Sequence, residues 1–192
     1  MRSGGDNFMN LDDLYITNYR EAGGVHLQSI TRLSEEEAYA FAKKLSERSI
    51  SERDRYGDYF NTYYHKRLRT EEWLYETFIE LKGRPQTQHP IYFTLLESER
   101  LCNFFGNDSK IKLLLKDINP IHISFTPRDS MHLMDMGRTD NTVWRAEKLF
   151  DLIAKSGQDI CDFVKSIPEK YGQIGGYIEV QLWSDLYLKD LI

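Results

Sequence analysis

The 192-residue chain carries 25 basic and 30 acidic residues, and a net charge of −5 excludes a chain-wide nucleic-acid footprint while leaving room for a local basic patch. That length suits one domain burying a core without metal or disulfide staples, and 41% apolar against 29% charged residues excludes wholesale disorder. Cys102 and Cys161 lack a CxxC partner, Met1–Asn10 has no leader pattern, and no apolar run nears the ~18 residues of a membrane span; the expectation is a cytoplasmic protein with free thiols and no membrane partner.

In chain order, Leu14-Tyr15-Ile16 is a short strand candidate, and Val25–Ile30 is a second beyond a Gly23-Gly24 turn. A helix starts at Ser34, which forms an S-x-x-E capping box with Glu37, and Ala38, Phe41, Ala42 and Leu45 give it one buried face. Residues 48–69 interleave Arg48, Arg53, Arg55, Arg67 and Arg69 with Tyr56, Tyr59, Phe60, Tyr63 and Tyr64 without a clean period. This stretch reads as a loop with one turn of helix at most. Thr70 then caps a second helix carrying Trp73, Leu74, Phe78 and Leu81, stopped by Gly83 and Pro85.

Pro90–Leu96 is a strand apolar enough to be covered on both faces, and Glu97–Phe105 returns to a helical pattern ended by Gly106-Asn107. Ile111–Leu115 and Ile121–Phe125 are strands separated by the turn Asp117-Ile118-Asn119-Pro120. A long helix runs from Thr142 to Gly157, and a shorter one, about Asp159–Ser166, stops at Ile167-Pro168. Gly175-Gly176 releases a last strand, Tyr177–Trp183, with Ile178, Val180 and Leu182 on one face and Tyr177, Glu179, Gln181 and Trp183 on the other. The expectation is a single α+β domain over residues 1–192, with a loose terminus at 1–10. Its sheet is mixed or mostly antiparallel and packs with about four to five helices.

The chemistry-bearing motifs are mostly excluded. His26, His65, His89, His122 and His132 form no H-x-x-x-H pair, and nothing in the spacing of His122, His132, Asp129 and Asp135 demands that they meet, so no metal site is expected. The chain has no GxGxxG, no P-loop and no G-x-S-x-G elbow. What stands out is the Arg/Tyr segment, because arginine forks bind phosphates and tyrosine rings give bases a stacking face. Arg53, Arg55, Tyr56, Tyr59, Tyr63 and Arg67 are its candidates for holding a small nucleotide-like ligand or nucleic acid. The structural alternative is arginines stacked on tyrosines to pin a loop. Glu179 is the candidate carboxylate of the last strand, where the sheet fixes its geometry; the alternative is an ordinary solvent-facing glutamate. If Ile121–Phe125 neighbours that strand, His122 and Ser124 converge on Glu179 and Gln181, with Asp129 and Ser130 just beyond.

The order of elements, and above all Tyr177-Ile178-Glu179-Val180-Gln181-Leu182-Trp183 followed by Leu186-Tyr187-Leu188, resembles the ADP-ribosyltransferase-like families and their late glutamate strand. The resemblance implies an enzyme using NAD, with Glu179 and His122 as catalytic residues. It makes His26, in His26-Leu27-Gln28-Ser29, a polar contact to the cofactor and stacks tyrosines of 56–64 on nicotinamide. Arg53, Arg55, Arg67, Ser124 and Gln181 complete the implied cofactor site. Ser124-Phe125-Thr126 is the nearest approach to the family's Ser-Thr-Ser strand, and Tyr177 stands where a second Glu or Gln is usual. The reading of the residues themselves keeps a non-catalytic nucleic-acid- or protein-binding module, working through residues 53–69, as the alternative.

Overall fold

A computed structural model describes residues 9–20, 27–47, 56–105, 110–189 and 191. The described chain is α+β, with a five-stranded antiparallel sheet and six α-helices. The strands are β1 (Tyr15–Tyr19), β2 (Ile91–Leu95), β3 (Lys110–Leu114), β4 (Ile123–Thr126) and β5 (Glu179–Leu182), ordered β3-β1-β2-β5-β4. The helices are α1 (Glu35–Ser46), α2 (Phe60–Glu80), α3 (Glu99–Phe105), α4 (Ser130–Asp135), α5 (Ala146–Ser156) and α6 (Ile160–Lys170).

Strand register sorts the side chains into two unlike faces, because successive residues of a strand point to opposite sides. Ile16 pairs with Leu95, Val180 lies between Phe93 and Phe125, and Leu182 lies between Ile91 and Ile123. This face is the apolar core, closed by Leu149 and Ile153 of α5 and by Ile160, Phe163, Val164 and Ile167 of α6. Each such side chain taken fully from water contributes about 1.5–3 kcal/mol, so this side carries the fold's stability. The other face is polar: Thr17 pairs with Thr94, Glu179 lies between Thr94 and Thr126, and Gln181 lies between Tyr92 and Ser124. It is nonetheless covered, and all four residues of β5 are buried.

The cover over the polar face is the main departure from the sequence reading. Residues 60–69 of the segment read as a loop form the first half of α2, a 21-residue helix. Its buried residues, Phe60, Tyr64, Thr70, Glu71, Leu74 and Phe78, hold helical spacing, but two of the six are polar, which hides the period. Thr70 caps nothing; it is buried mid-helix, with its hydroxyl donating to the Lys66 carbonyl at 2.9 Å. Nor does Gly83 supply the left-handed residue after the helix, since that is Lys82 with φ 68°. Gly83 is needed for space: a Cβ there would lie 2.5 Å from three ring carbons of Phe78.

Other boundaries move for identifiable reasons. Ser34 makes the expected capping box with Glu37. The described part of Val25–Ile30 is a turn at Leu27 and the start of a 3-10 turn at Ile30–Arg32, not a strand; Val25 and His26 lie outside the described residues, as do Arg48, Arg53, Arg55 and Gly106-Asn107. Ile121 and His122 belong to a 3-10 turn before β4. Helix α5 starts at Ala146 because Trp144 first pairs with Phe125, through backbone bonds of 2.8 and 2.9 Å. Helix α6 runs past Pro168 to Lys170, carried by the burial of Ile167 and Pro168. The short α4, capped by Asp129, was not expected. Cys102 is buried and Cys161 half-buried, both as free thiols. No helix among the described residues is long and apolar enough to cross a membrane.

Candidate functional site

Between the polar face of the sheet and its cover of α1, α2 and α3 lies a cleft of about 250 Å³. Its sheet wall presents Thr17, Tyr92, Thr94, Tyr177 and Glu179, and Asp129 reaches in from the turn after β4. Tyr63 and Arg67 of α2 close one side, with Tyr56 just ahead of the helix; Phe41, Leu101 and Phe105 give apolar contact elsewhere. Helical spacing explains the pairing of Tyr63 with Arg67, since residues four apart share a face. The Arg67 guanidinium lies over the Tyr92 ring, with Cζ 4.3 Å from its centroid, and 5.9 Å from that of Tyr63. Such stacking is worth on the order of 1–2 kcal/mol when the cation is desolvated.

Two carboxyls share the floor in different environments. Glu179 is only 4% exposed. Its Oε1 accepts bonds from Gln181 Nε2 at 3.0 Å and from the Ser130 amide at 3.3 Å, while Oε2 takes none from a described residue. Burial pushes its acid form up to about 7, and the neighbouring Asp129 charge adds to this; Arg67, Ser130 and Gln181 draw it partway back. Asp129 accepts from the Tyr177 hydroxyl at 3.2 Å and from the His132 amide at 3.1 Å, and its Oδ1 lies 3.3 Å from His132 Nδ1. Burial alone would raise Asp129, but the His132 hydrogen bonds and the Arg67 charge outweigh it and hold the carboxyl below the ordinary range. Burial, followed by the Asp129 and Glu179 charges, keeps Tyr177 firmly protonated. The floor therefore sets an aspartate held ionised beside a glutamate whose acid form is favoured by burial.

Around the cleft, three buried polar atoms have no hydrogen-bond partner among the described residues: Arg67 Nη1 on the α2 side, and the Tyr92 and Thr17 hydroxyls on the sheet side. An unsatisfied buried polar group costs about 1–3 kcal/mol unless water or a ligand supplies its partner. Glu71, one turn beyond Arg67, is 1% exposed and pairs with His89 at 2.7 Å behind Tyr92.

The sequence candidates divide accordingly. Tyr56, Tyr63, Arg67 and Glu179 come together in the cleft. Ser124 and Gln181 stand behind it as a hydrogen-bonded chain: Trp183 Nε1 donates to Ser124 (2.9 Å), Ser124 to Gln181 Oε1 (2.8 Å), and Gln181 to Glu179. They orient the glutamate rather than line the cleft. His122 is not brought to it, its Nδ1 lying 2.8 Å from the Tyr187 hydroxyl. Tyr59 is 70% exposed. His26, Arg53 and Arg55 lie outside the described residues. Sequence reasoning missed Thr17 and Tyr92 as cleft residues, although Thr17-x-Tyr19 and Tyr92-x-Thr94 carry the same alternation that singled out Glu179. It noted Asp129 as a neighbour without giving it a role. Among the described residues no group of three or more His, Cys, Asp or Glu is placed to hold a metal ion.

Comparison of the chain with protein-family models, with curated proteins and with solved structures gives no match.

Proposed function

We propose that the cleft binds a nucleotide of the NAD type and that Glu179 is the carboxylate acting at its glycosidic carbon. One observation carries the reading: a buried glutamate and a half-buried aspartate share a cleft floor with Arg67 Nη1 and a Tyr92 hydroxyl that have no hydrogen-bond partner among the described residues. The fit to NAD is partial by size, because 250 Å³ falls just under the ~300–1,000 Å³ of pockets that engulf drug-sized ligands. The nucleoside end nearest Glu179 would fill the floor, and the remainder would leave by the mouth. Arg67 Nη1, the Tyr92 hydroxyl and the Thr17 hydroxyl would donate to it, with Tyr56 and Tyr63 offering ring faces.

NAD, when bound, supplies a ribosyl carbon joined to a base that leaves uncharged. As that bond breaks, positive charge develops on the ribose. Glu179 in its ionised form, held on a strand by Gln181 and Ser130, stabilises that charge without reorganising. Asp129 adds a second negative charge, while Arg67 offsets the repulsion between the two carboxylates. The alternative, a nucleic-acid- or protein-binding surface on segment 53–69, draws less support, since Tyr56, Tyr63 and Arg67 turn toward the cleft.

NAD at a hundred times its Kd should stabilise the protein by about 2.7 kcal/mol, read as a rise in Tm. Glu179→Gln should retain that rise and lose nicotinamide release by about 100-fold or more. Absence of any Tm change at millimolar NAD would refute the proposal.

A further inference from the structure

We infer that the same cleft hydrolyses uncharged ribonucleosides, with Glu179 protonating the departing base and Asp129 remaining ionised against the developing ribosyl cation. The inference rests on the reading of the cleft as a nucleotide site, but it assigns a second activity and a different substrate class. A positively charged base such as nicotinamide leaves as a neutral molecule and needs no proton. A purine or pyrimidine leaves its nucleoside as an anion unless an acid protonates it. A pair of carboxylates alone serves only the first case; an acid beside a carboxylate serves the second.

The geometry sets the two groups apart. Asp129 is supplied with donors: the Tyr177 hydroxyl, the His132 amide and the His132 ring, with the Arg67 charge close by. Glu179 lines the cleft with two donors, both on Oε1, and Oε2 takes no bond from any described residue, which leaves it able to carry a proton. The charged and titratable groups acting on Glu179 are Asp129, Arg67 from α2, Tyr177 just ahead of β5 and Tyr92 from β2; His132 stands behind Asp129. With Glu179 protonated, the Arg67 and Asp129 charges cancel at the floor, while Arg20 also lines the cleft.

The step balances without a redox partner. The Glu179 proton passes to a ring nitrogen as the C1′–N bond breaks and its electron pair goes to the base. A water oxygen then bonds to C1′, and the proton it sheds returns to Glu179. Riboside and water give ribose and free base. Asp129 exchanges no proton.

The test is base release from inosine, adenosine and uridine, followed by chromatography across pH 5.5–8.5 beside a parallel series with NAD. Release from at least one nucleoside should hold level on the acid side and fall about tenfold per pH unit once Glu179 ionises, whereas NAD cleavage should rise over the same range. Glu179→Gln should lose nucleoside hydrolysis by about 100-fold or more, because an amide cannot donate the proton. Asp129→Asn, which can still cap α4, should lose about 100-fold, and the charge-keeping Asp129→Glu should lose less. Variants are compared only where their melting curves show them folded. No release from any of the three nucleosides at about pH 6, or release that grows with pH, overturns the inference. NAD cleavage without nucleoside hydrolysis would leave the proposed function standing and remove this activity; nucleoside hydrolysis without NAD cleavage would do the reverse.

Discussion

Replacing Glu179 by glutamine should change the pH dependence of stability in a calculable way. An ordinary glutamate titrates near 4.5, and in the fold Glu179 is pushed to about 7. The folded state thus binds this proton more tightly than the unfolded chain. Below about 4.5 both states are protonated and burial of the neutral acid costs nothing extra. As pH rises from 4.5 toward 7 the unfolded chain ionises and the folded protein does not, so stability falls; above 7 the loss is complete. A difference of about 2.5 in pKa, at about 1.4 kcal/mol each, gives about 3 kcal/mol. Glutamine can accept the same bonds from Ser130 and Gln181 through its oxygen and carries no charge to bury. Glu179→Gln should therefore match wild type at about pH 4 and exceed it by about 3 kcal/mol at pH 8. For a chain of this size that is about 6–12 °C in Tm. The Asp129 contribution lies in a lower window, because a depressed carboxyl loses its stabilisation only as pH falls below the ordinary aspartate range. The assay is thermal unfolding of both proteins at half-unit pH steps. A Tm difference that stays constant with pH would refute the claim that Glu179 is held protonated by its surroundings.

Two further variants probe the cover and the floor separately. Arg67→Met keeps a long side chain against Tyr92 but removes the charge that draws Glu179 down, so the Glu179 carboxyl resonance in ¹³C NMR should titrate above its wild-type midpoint; an unchanged midpoint would detach Arg67 from the floor. Gly83→Ala forces a methyl to within 2.5 Å of the Phe78 ring and should cost about 1–3 kcal/mol in urea unfolding, leaving the cleft untouched. An unshifted urea midpoint would mean that Phe78 yields freely.

Legibility in the sequence followed the apolar side of the molecule. β2 and β5 were readable because Ile91, Phe93 and Leu95, and Ile178, Val180 and Leu182, point into one apolar core at the strand period. α1 was readable from its capping box and its Ala38/Ala42/Leu45 stripe. The first half of α2 was not, because it packs against polar groups instead of oil: Arg67, Thr70 and Glu71 fall where leucines would otherwise mark the inner face. The same cause left a solvent-facing glutamate as the alternative at Glu179, since nothing in β5 itself reveals that a helix about 100 positions earlier covers its polar side. Tyr56, Tyr63 and Arg67 were singled out for their side-chain chemistry and proved to share the cleft with Glu179. Asp129, Tyr92 and Thr17 join them only through the strand order β1-β2-β5-β4, which brings together residues far apart in the chain.

The central claim is that the polar face of the sheet is a ligand site, and a crystal structure of the protein soaked with NAD tests it most directly. The expected result is a ribosyl group within hydrogen-bonding reach of Glu179, and ligand atoms paired with Arg67 Nη1 and the Tyr92 hydroxyl. A ligand bound outside the cleft, or a cleft holding only water at saturating NAD, would contradict it.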